Sequence, residues 1–212
     1  MNMRDKHFQQ TRKILLGQAA LQEEFKELSD FVKERFSVQT INVIPTLRKG
    51  FLNLELWFEY QYEADRFYKS PYTVDTRKAT MIINKFKQIV CHTYKADNIG
   101  VSCYAFEPLA KEAANMSITE SEISDLKEKI QCKDLWVIVH FLYCAVFFLY
   151  KDEQIKEYME RGFVEIWSDM YFGLLKCYDE FGYFTKDSFS ITLDSKENFD
   201  TNYHSNWYYY LA

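Results

Sequence analysis

Glycine and proline are scarce in this chain, with six and three residues among 212. Loops that need special backbone angles are therefore few, and most residues should lie in regular elements. The five cysteines, at 91, 103, 132, 144 and 177, are odd in number and contain no Cys-x-x-Cys. That argues against a disulfide framework or a zinc cluster and for reduced thiols in a cytoplasmic protein. Histidine occurs four times, at 7, 92, 140 and 204, without the His-x-x-x-His or His-Glu-x-x-His spacing of a metal site. Neither the GxGxxG nor the GxxxxGK[ST] phosphate loop occurs, and the GxSxG nucleophile elbow is missing too. No cofactor is implied.

Positive charge is in deficit, 26 Lys and Arg against 31 Asp and Glu, for a net charge of −5. Such a chain gains nothing from counterion release, and its most basic stretch, Lys85 to Lys95, holds only three lysines. Direct nucleic-acid binding is disfavoured; a basic protein partner matches the charge better. The amino terminus, MNMRDKHFQQTRK, carries no apolar core of a secretory signal. The longest uncharged run, Leu135 to Tyr150, has 16 residues, short of the ~20 that a membrane helix needs.

What is abundant is aromatic: 18 Phe, 16 Tyr and 4 Trp. Tyrosine, apolar in body and polar at its tip, suits a half-buried sheet face or an interface. The apolar residues fall into clear periods. Leu21, Phe25, Leu28, Val32 and Phe36 recur every three or four positions, which predicts one long helix from Asp5 to Phe36. VQTINVIP reads as a strand closed by Pro45. FLNLELWFEYQY alternates, with Leu52, Leu54, Leu56, Phe58, Tyr60 and Tyr62 on one face and Asn53, Glu55, Glu59 and Gln61 on a wet one. Thr73 or Asp75 should cap a second helix with Ile82, Phe86 and Ile89 in its stripe. NIGVSCYAFEP reads as a strand stopped by Pro108. Thr119 and Glu122 form a capping box opening a helix from Glu120 to Ile130.

The run from Leu135 to Tyr150 is β-branched and aromatic, which predicts a long buried strand bulged near Cys144 or Ala145. A short helix ended by Gly162 follows, then a helix with Val164, Trp167, Tyr171, Leu174 and Tyr178 in its stripe. SFSITLD and NWYYYL close the chain as strands. The order of elements does not alternate strictly, so a doubly wound sheet is disfavoured. The expectation is a single α+β domain over 1–212, its largely antiparallel sheet of about five or six strands packed against helices. The weakest seam is 107–117, a long loop or a boundary.

Chemistry is harder to find. Cys91 and His92 are adjacent, but neighbours on a helix point about 100° apart, so a thiol at a helix end is the plainer reading. His140 and Cys144 on one strand would stand too far apart for proton transfer. DSKENFD offers Asp194, Asn198 and Asp200 as calcium ligands, yet Lys196 and Phe199 fall where a calcium loop needs an oxygen ligand and a glycine. The remaining signal is aromatic residues beside acids near the carboxyl end. Tyr183, Asp194, Glu197, Asp200, Tyr203, Trp207 and Tyr209 are the candidates for a partner-binding surface. The alternative is that alternate members of the Trp207–Tyr210 run complete the core. The leading expectation is a non-enzymatic, cytoplasmic protein-binding module, of which an inhibitor or immunity-type protein neutralising a basic toxin or nuclease is one version. The runner-up is a small hydrolase or transferase assembled from distant groups, with His92, His140 and the carboxylates of Leu52–Tyr62 as candidates. Oligomeric state is not legible.

Overall fold

The computed structural model describes residues 3–90, 94 and 98–211. Cys91 and His92 lie outside the described residues. The chain divides into two compact units, residues 1–109 and 110–212. The division falls inside 107–117, a stretch that is helical rather than a loop.

The first unit opens with α1 (Met3–Leu15) and α2 (Glu23–Phe36) instead of one long helix. Gly17, at φ 68°, is the reason. It lets the Gln18 N–H reach the Lys13 carbonyl at 2.9 Å and its own N–H reach that of Ile14 at 3.0 Å, the paired bonds that end a helix at a left-handed residue. Next come β1 (Asn42–Arg48), β2 (Phe51–Phe58), α3 (Gln61–Asp65), β3 (Tyr68–Ser70), β4 (Thr73–Val74), α4 (Thr76–Ile89) and β5 (Asn98–Ala105). Strand β1 does not close at Pro45. It continues to Arg48 because it is an edge strand, where the missing N–H has no ladder partner to lose. Lys49 and Gly50, both at positive φ, make the two-residue hairpin turn. Of the two expected caps it is Asp75 rather than Thr73 that opens α4, accepting from the N–H groups of Arg77 and Lys78.

Strand β2 is central, antiparallel to β1 and parallel to β5. Leu52, Leu54, Leu56 and Phe58 meet Phe25, Leu28 and Val32 of α2 and Ile82 and Phe86 of α4 in one buried cluster. The alternation stops at Phe58. Tyr60 and Tyr62 leave the sheet because the Glu63 carboxylate accepts from the backbone N–H groups of Glu59 and Tyr60 and starts α3. The face expected to be wet is partly closed, since Glu55 and Trp57 are buried.

The second unit takes most of α5 (Phe106–Met116), then α6 (Glu120–Ile130), β6 (Leu135–Phe141), β7 (Cys144–Leu149), α7 (Asp152–Glu160), α8 (Phe163–Tyr178), β8 (Thr192–Ser195), α9 (Lys196–Asn202) and α10 (Trp207–Tyr210). The Thr119–Glu122 capping box is present. The uncharged run is a hairpin rather than one long strand, folded at Leu142–Tyr143 with Phe141 opposite Cys144. Among the described residues no helix is long and apolar enough to cross a membrane. β7 pairs antiparallel with β6 and parallel with β8. One face of this sheet, through Phe147 and Leu149, packs on Trp167, Tyr171 and Leu175 of α8.

The fold class is α+β, but the expected single sheet of five or six strands is not formed. Among the described residues there are two three-stranded mixed sheets and a two-stranded ribbon, β3–β4. The parallel pairings arise because a helical crossover, not a hairpin, precedes β5 and β8. The closing strand is also absent: NWYYYL is a helical turn, begun where the Asn206 side chain accepts the Tyr208 N–H at 2.9 Å. Each unit runs helices, a hairpin, further helices and then a strand parallel to the hairpin's second strand, a shared order that the residues do not announce.

Candidate functional site

The seven partner-binding candidates lie in the second unit, and most are engaged within it. Ser195 caps α9 by accepting the Asn198 N–H at 2.8 Å. Asp194 accepts from the Ser195 N–H at 2.6 Å, the Asn198 amide at 2.8 Å and the Tyr210 hydroxyl at 2.6 Å. Burial and the Asp194 carboxylate together raise the pKa of that phenol. Glu197 accepts the Asp152 N–H at 3.2 Å, at the start of α7. Asp200 pairs with Lys196 and accepts from the Ser205 hydroxyl, which holds its carboxyl below the usual range.

Trp207 stacks on Phe199 at 4.1 Å between ring centroids, and Tyr203 meets Tyr210 edge-on at 4.8 Å. A helical turn puts residues three apart on one side, so Trp207 and Tyr210 face the sheet together. Tyr208 and Tyr209 point out, Tyr209 with 58 % of its surface exposed. The structure thus gathers Asp194, Tyr203 and Trp207 around Tyr210. Tyr183 sits apart on the loop after α8, stacked on Phe181.

The first unit is more open. A groove of about 760 Å³ runs beside β5, bordered by Asp65, Tyr68, Tyr72 and Tyr104. Tyr68 donates to the Cys103 carbonyl at 2.9 Å and accepts its N–H at 3.3 Å, so a phenol rather than a strand occupies that part of the sheet edge. Burial pushes the Cys103 thiol up to about 12, so it stays protonated and is no nucleophile. Tyr72, at the turn between β3 and β4, is 97 % exposed. Tyr60 stacks on Tyr62 at 5.5 Å nearby in sequence, its phenol pKa raised chiefly by the Glu59 carboxylate.

Tyr104 also borders a second cavity, of about 350 Å³, on the sheet face that α1 partly covers. Its floor holds His7 and Glu55, with His7 Nδ1 2.9 Å from Glu55 Oε2. The Trp57 indole N–H donates to the same oxygen at 3.4 Å. Asn42 and Thr11 join beside them at 3.1 Å. Phe51 forms part of the wall. Compared with protein-family models, curated proteins and solved structures, the chain matches none. The geometry alone therefore carries the functional argument.

Of the sequence's enzyme candidates, His140 is held through Nδ1 to the Asn115 carbonyl at 3.0 Å. Glu55 is the carboxylate that does meet a histidine, though His7 was not among the candidates. The four-residue spacing of His7 and Thr11 on α1 was the available signal, hidden in a polar amino terminus. Among the described residues no group of three or more His, Cys, Asp or Glu side chains is placed to hold a metal ion.

Proposed function

We propose that the protein is a non-enzymatic binding module for a basic protein, with its docking surface on the first unit where the β5 groove and the Glu55 cavity meet at Tyr104. An inhibitor or immunity-type protein that neutralises a basic toxin or nuclease in the cytoplasm is the concrete version. The observation that carries this reading is Tyr72, 97 % exposed at the lip of a tyrosine-lined groove beside Asp65. A ring so exposed contributes little to the fold, whereas tyrosines beside carboxylates are suited to anchor a cationic partner. The net charge of −5 supports electrostatic steering of such a partner. Cys103, Cys132, Cys144 and Cys177 are free thiols, in keeping with a reducing compartment.

The test is affinity capture from the source cells at low salt, with wild type and Tyr72→Ala as baits. The expected result is one dominant basic partner whose association slows as salt rises and whose retention drops with Tyr72→Ala. Recovery of the bait alone, or capture indifferent to both salt and the substitution, overturns the reading.

One observation favours a second reading, a hydrolase or transferase. The Glu55–His7 pair has the arrangement in which a carboxylate orients an imidazole as a base. Turnover of an ester, amide or phosphoester panel that disappears in His7→Gln would support it; no turnover by the wild type ends it.

A further inference from the structure

We infer that the cavity above Glu55 is a receptor for one guanidinium group, that of an arginine side chain on the basic partner; this rests on the reading just proposed. Glu55 is the buried charge that gives the cavity its chemistry, with only 9 % of its surface exposed. Both protein donors it meets, His7 Nδ1 and Trp57 Nε1, go to the same oxygen, Oε2. Among the described residues, Oε1 has no hydrogen-bond partner. Oε1 is not sealed from solvent and opens to a guest, and a donor-rich cation suits a recessed carboxylate best.

The wall explains why the cation should be planar. Phe51 directs the tip of its ring at Gly100, where an added Cβ would sit only 2.6 Å from Cζ. It borders the cavity together with Tyr104. Aromatic rings beside a carboxylate favour guanidinium, which can pack on them as well as donate, over a compact ammonium. Two basic side chains of the protein bear on the same space. His7 Nδ1 meets Glu55 Oε2 and leaves Oε1 to the guest. Arg48 also borders the cavity, so a guest must overcome a like charge and depends on stacking in addition to attraction.

The experiment uses the full chain, ¹⁵N-labelled, and follows the Trp57 indole N–H, which touches Glu55 and is assigned by loss of its signal in Trp57→Phe. N-acetyl-arginine amide is titrated against N-acetyl-lysine amide, with N-acetyl-glutamate amide as the anionic control. The expected result is a saturable shift with the arginine probe, severalfold weaker with lysine and absent with glutamate. Affinity should fall about tenfold in Glu55→Gln, the loss of one charge-assisted interaction. Because that change could disturb the sheet, Phe51→Ala at the half-exposed wall provides the second variant, with a severalfold loss and an unchanged fold. No shift with arginine, an equal shift with glutamate, or tighter binding of lysine overturns the assignment. Salt-dependent partner capture that survives such a result leaves the docking proposal standing and removes only the arginine pocket. Arginine binding with no partner captured does the reverse.

Discussion

The two units complete the same sheet in opposite ways. Each has a central strand paired antiparallel on one side and parallel on the other, with helices over one face. In the second unit the other face is sealed by the chain's own end: Val146, Phe148 and Phe199 are buried against Trp136, Trp207 and Tyr210. In the first unit the corresponding face is polar, and α1 covers only part of it with His7 and Thr11, leaving a cavity over Glu55. Sealing a sheet with aromatic rings stabilises it; leaving a buried carboxylate beside a cavity does not. The break in apolar closure on one of two equivalent faces is what the docking proposal rests on.

The hairpin turns differ in the same spirit. Lys49–Gly50 is the chemistry a tight turn favours, whereas Leu142 adopts φ 50° with a branched side chain half exposed. Its hold is Asn115, fully buried, whose amide donates to the Leu142 and Cys144 carbonyls at 3.2 and 2.9 Å while accepting the Tyr171 hydroxyl at 2.7 Å.

The contrast can be broken most severely at Trp207. Trp207→Ala should lower stability by about 3 kcal/mol, the cost of emptying an aromatic site, as read by denaturant unfolding. Unchanged stability with lost partner binding would instead make it an interface anchor. Asn115→Ala should cost about 2 kcal/mol, because two carbonyls and a phenol lose their partner in the interior. Adding Tyr171→Phe should not cost its full single-mutant value again, and strict additivity would show that the network is not shared.

In the first unit the double change His7→Leu/Glu55→Met should alter stability by less than about 1 kcal/mol or raise it, since a buried polar pair is replaced by apolar groups. Collapse of that variant would mean the pair is structural and the contrast between the faces is false. Smaller still, Leu142→Gly should stabilise and Gly50→Ala should destabilise, each by roughly 0.5–1 kcal/mol and with opposite sign because both positions sit at positive φ. Thermal melting of the two variants side by side checks it.

The faintest effect is common to both units. Backbone N–H groups lower the carboxyl pKa of Asp75 at α4 and of Glu122 at α6, the latter aided by the Thr119 and Tyr178 hydroxyls. A depressed folded pKa contributes stability above the ordinary carboxylate value, and that contribution disappears as pH falls through the folded one. Glu122→Gln should therefore lessen the loss of stability as pH falls through and below the ordinary carboxylate range while lowering stability at neutral pH, which melting curves at a series of acidic pH values would register.

Legibility varied with the reach of each signal. The Asp75 cap, the Thr119–Glu122 box, the glycine at 162 and the leucines of β2 were read from neighbours within a few positions. The helix end at Gly17 was equally local but lay between two apolar stripes that suggested continuity. For Leu135–Tyr150 the residue types indicated strand without revealing where it turns, because Leu142–Tyr143 has none of the usual turn residues. Trp207 to Tyr210 fits alternation as well as a turn of helix, and only the contacts with Phe199 and Trp136 decide between them.

The sequence by itself determined the α+β character, the caps, the amphipathic helices and the core side of β2, since each follows from backbone preference and apolar period over one element. The tertiary structure alone decided that two small mixed sheets replace one large one, that Trp207 and Tyr210 turn inward while Tyr208 and Tyr209 stay exposed, and that His7 meets Glu55 across 48 positions of chain. Such encounters depend on which strands become neighbours once crossovers have closed, and no short stretch of residues encodes that closure.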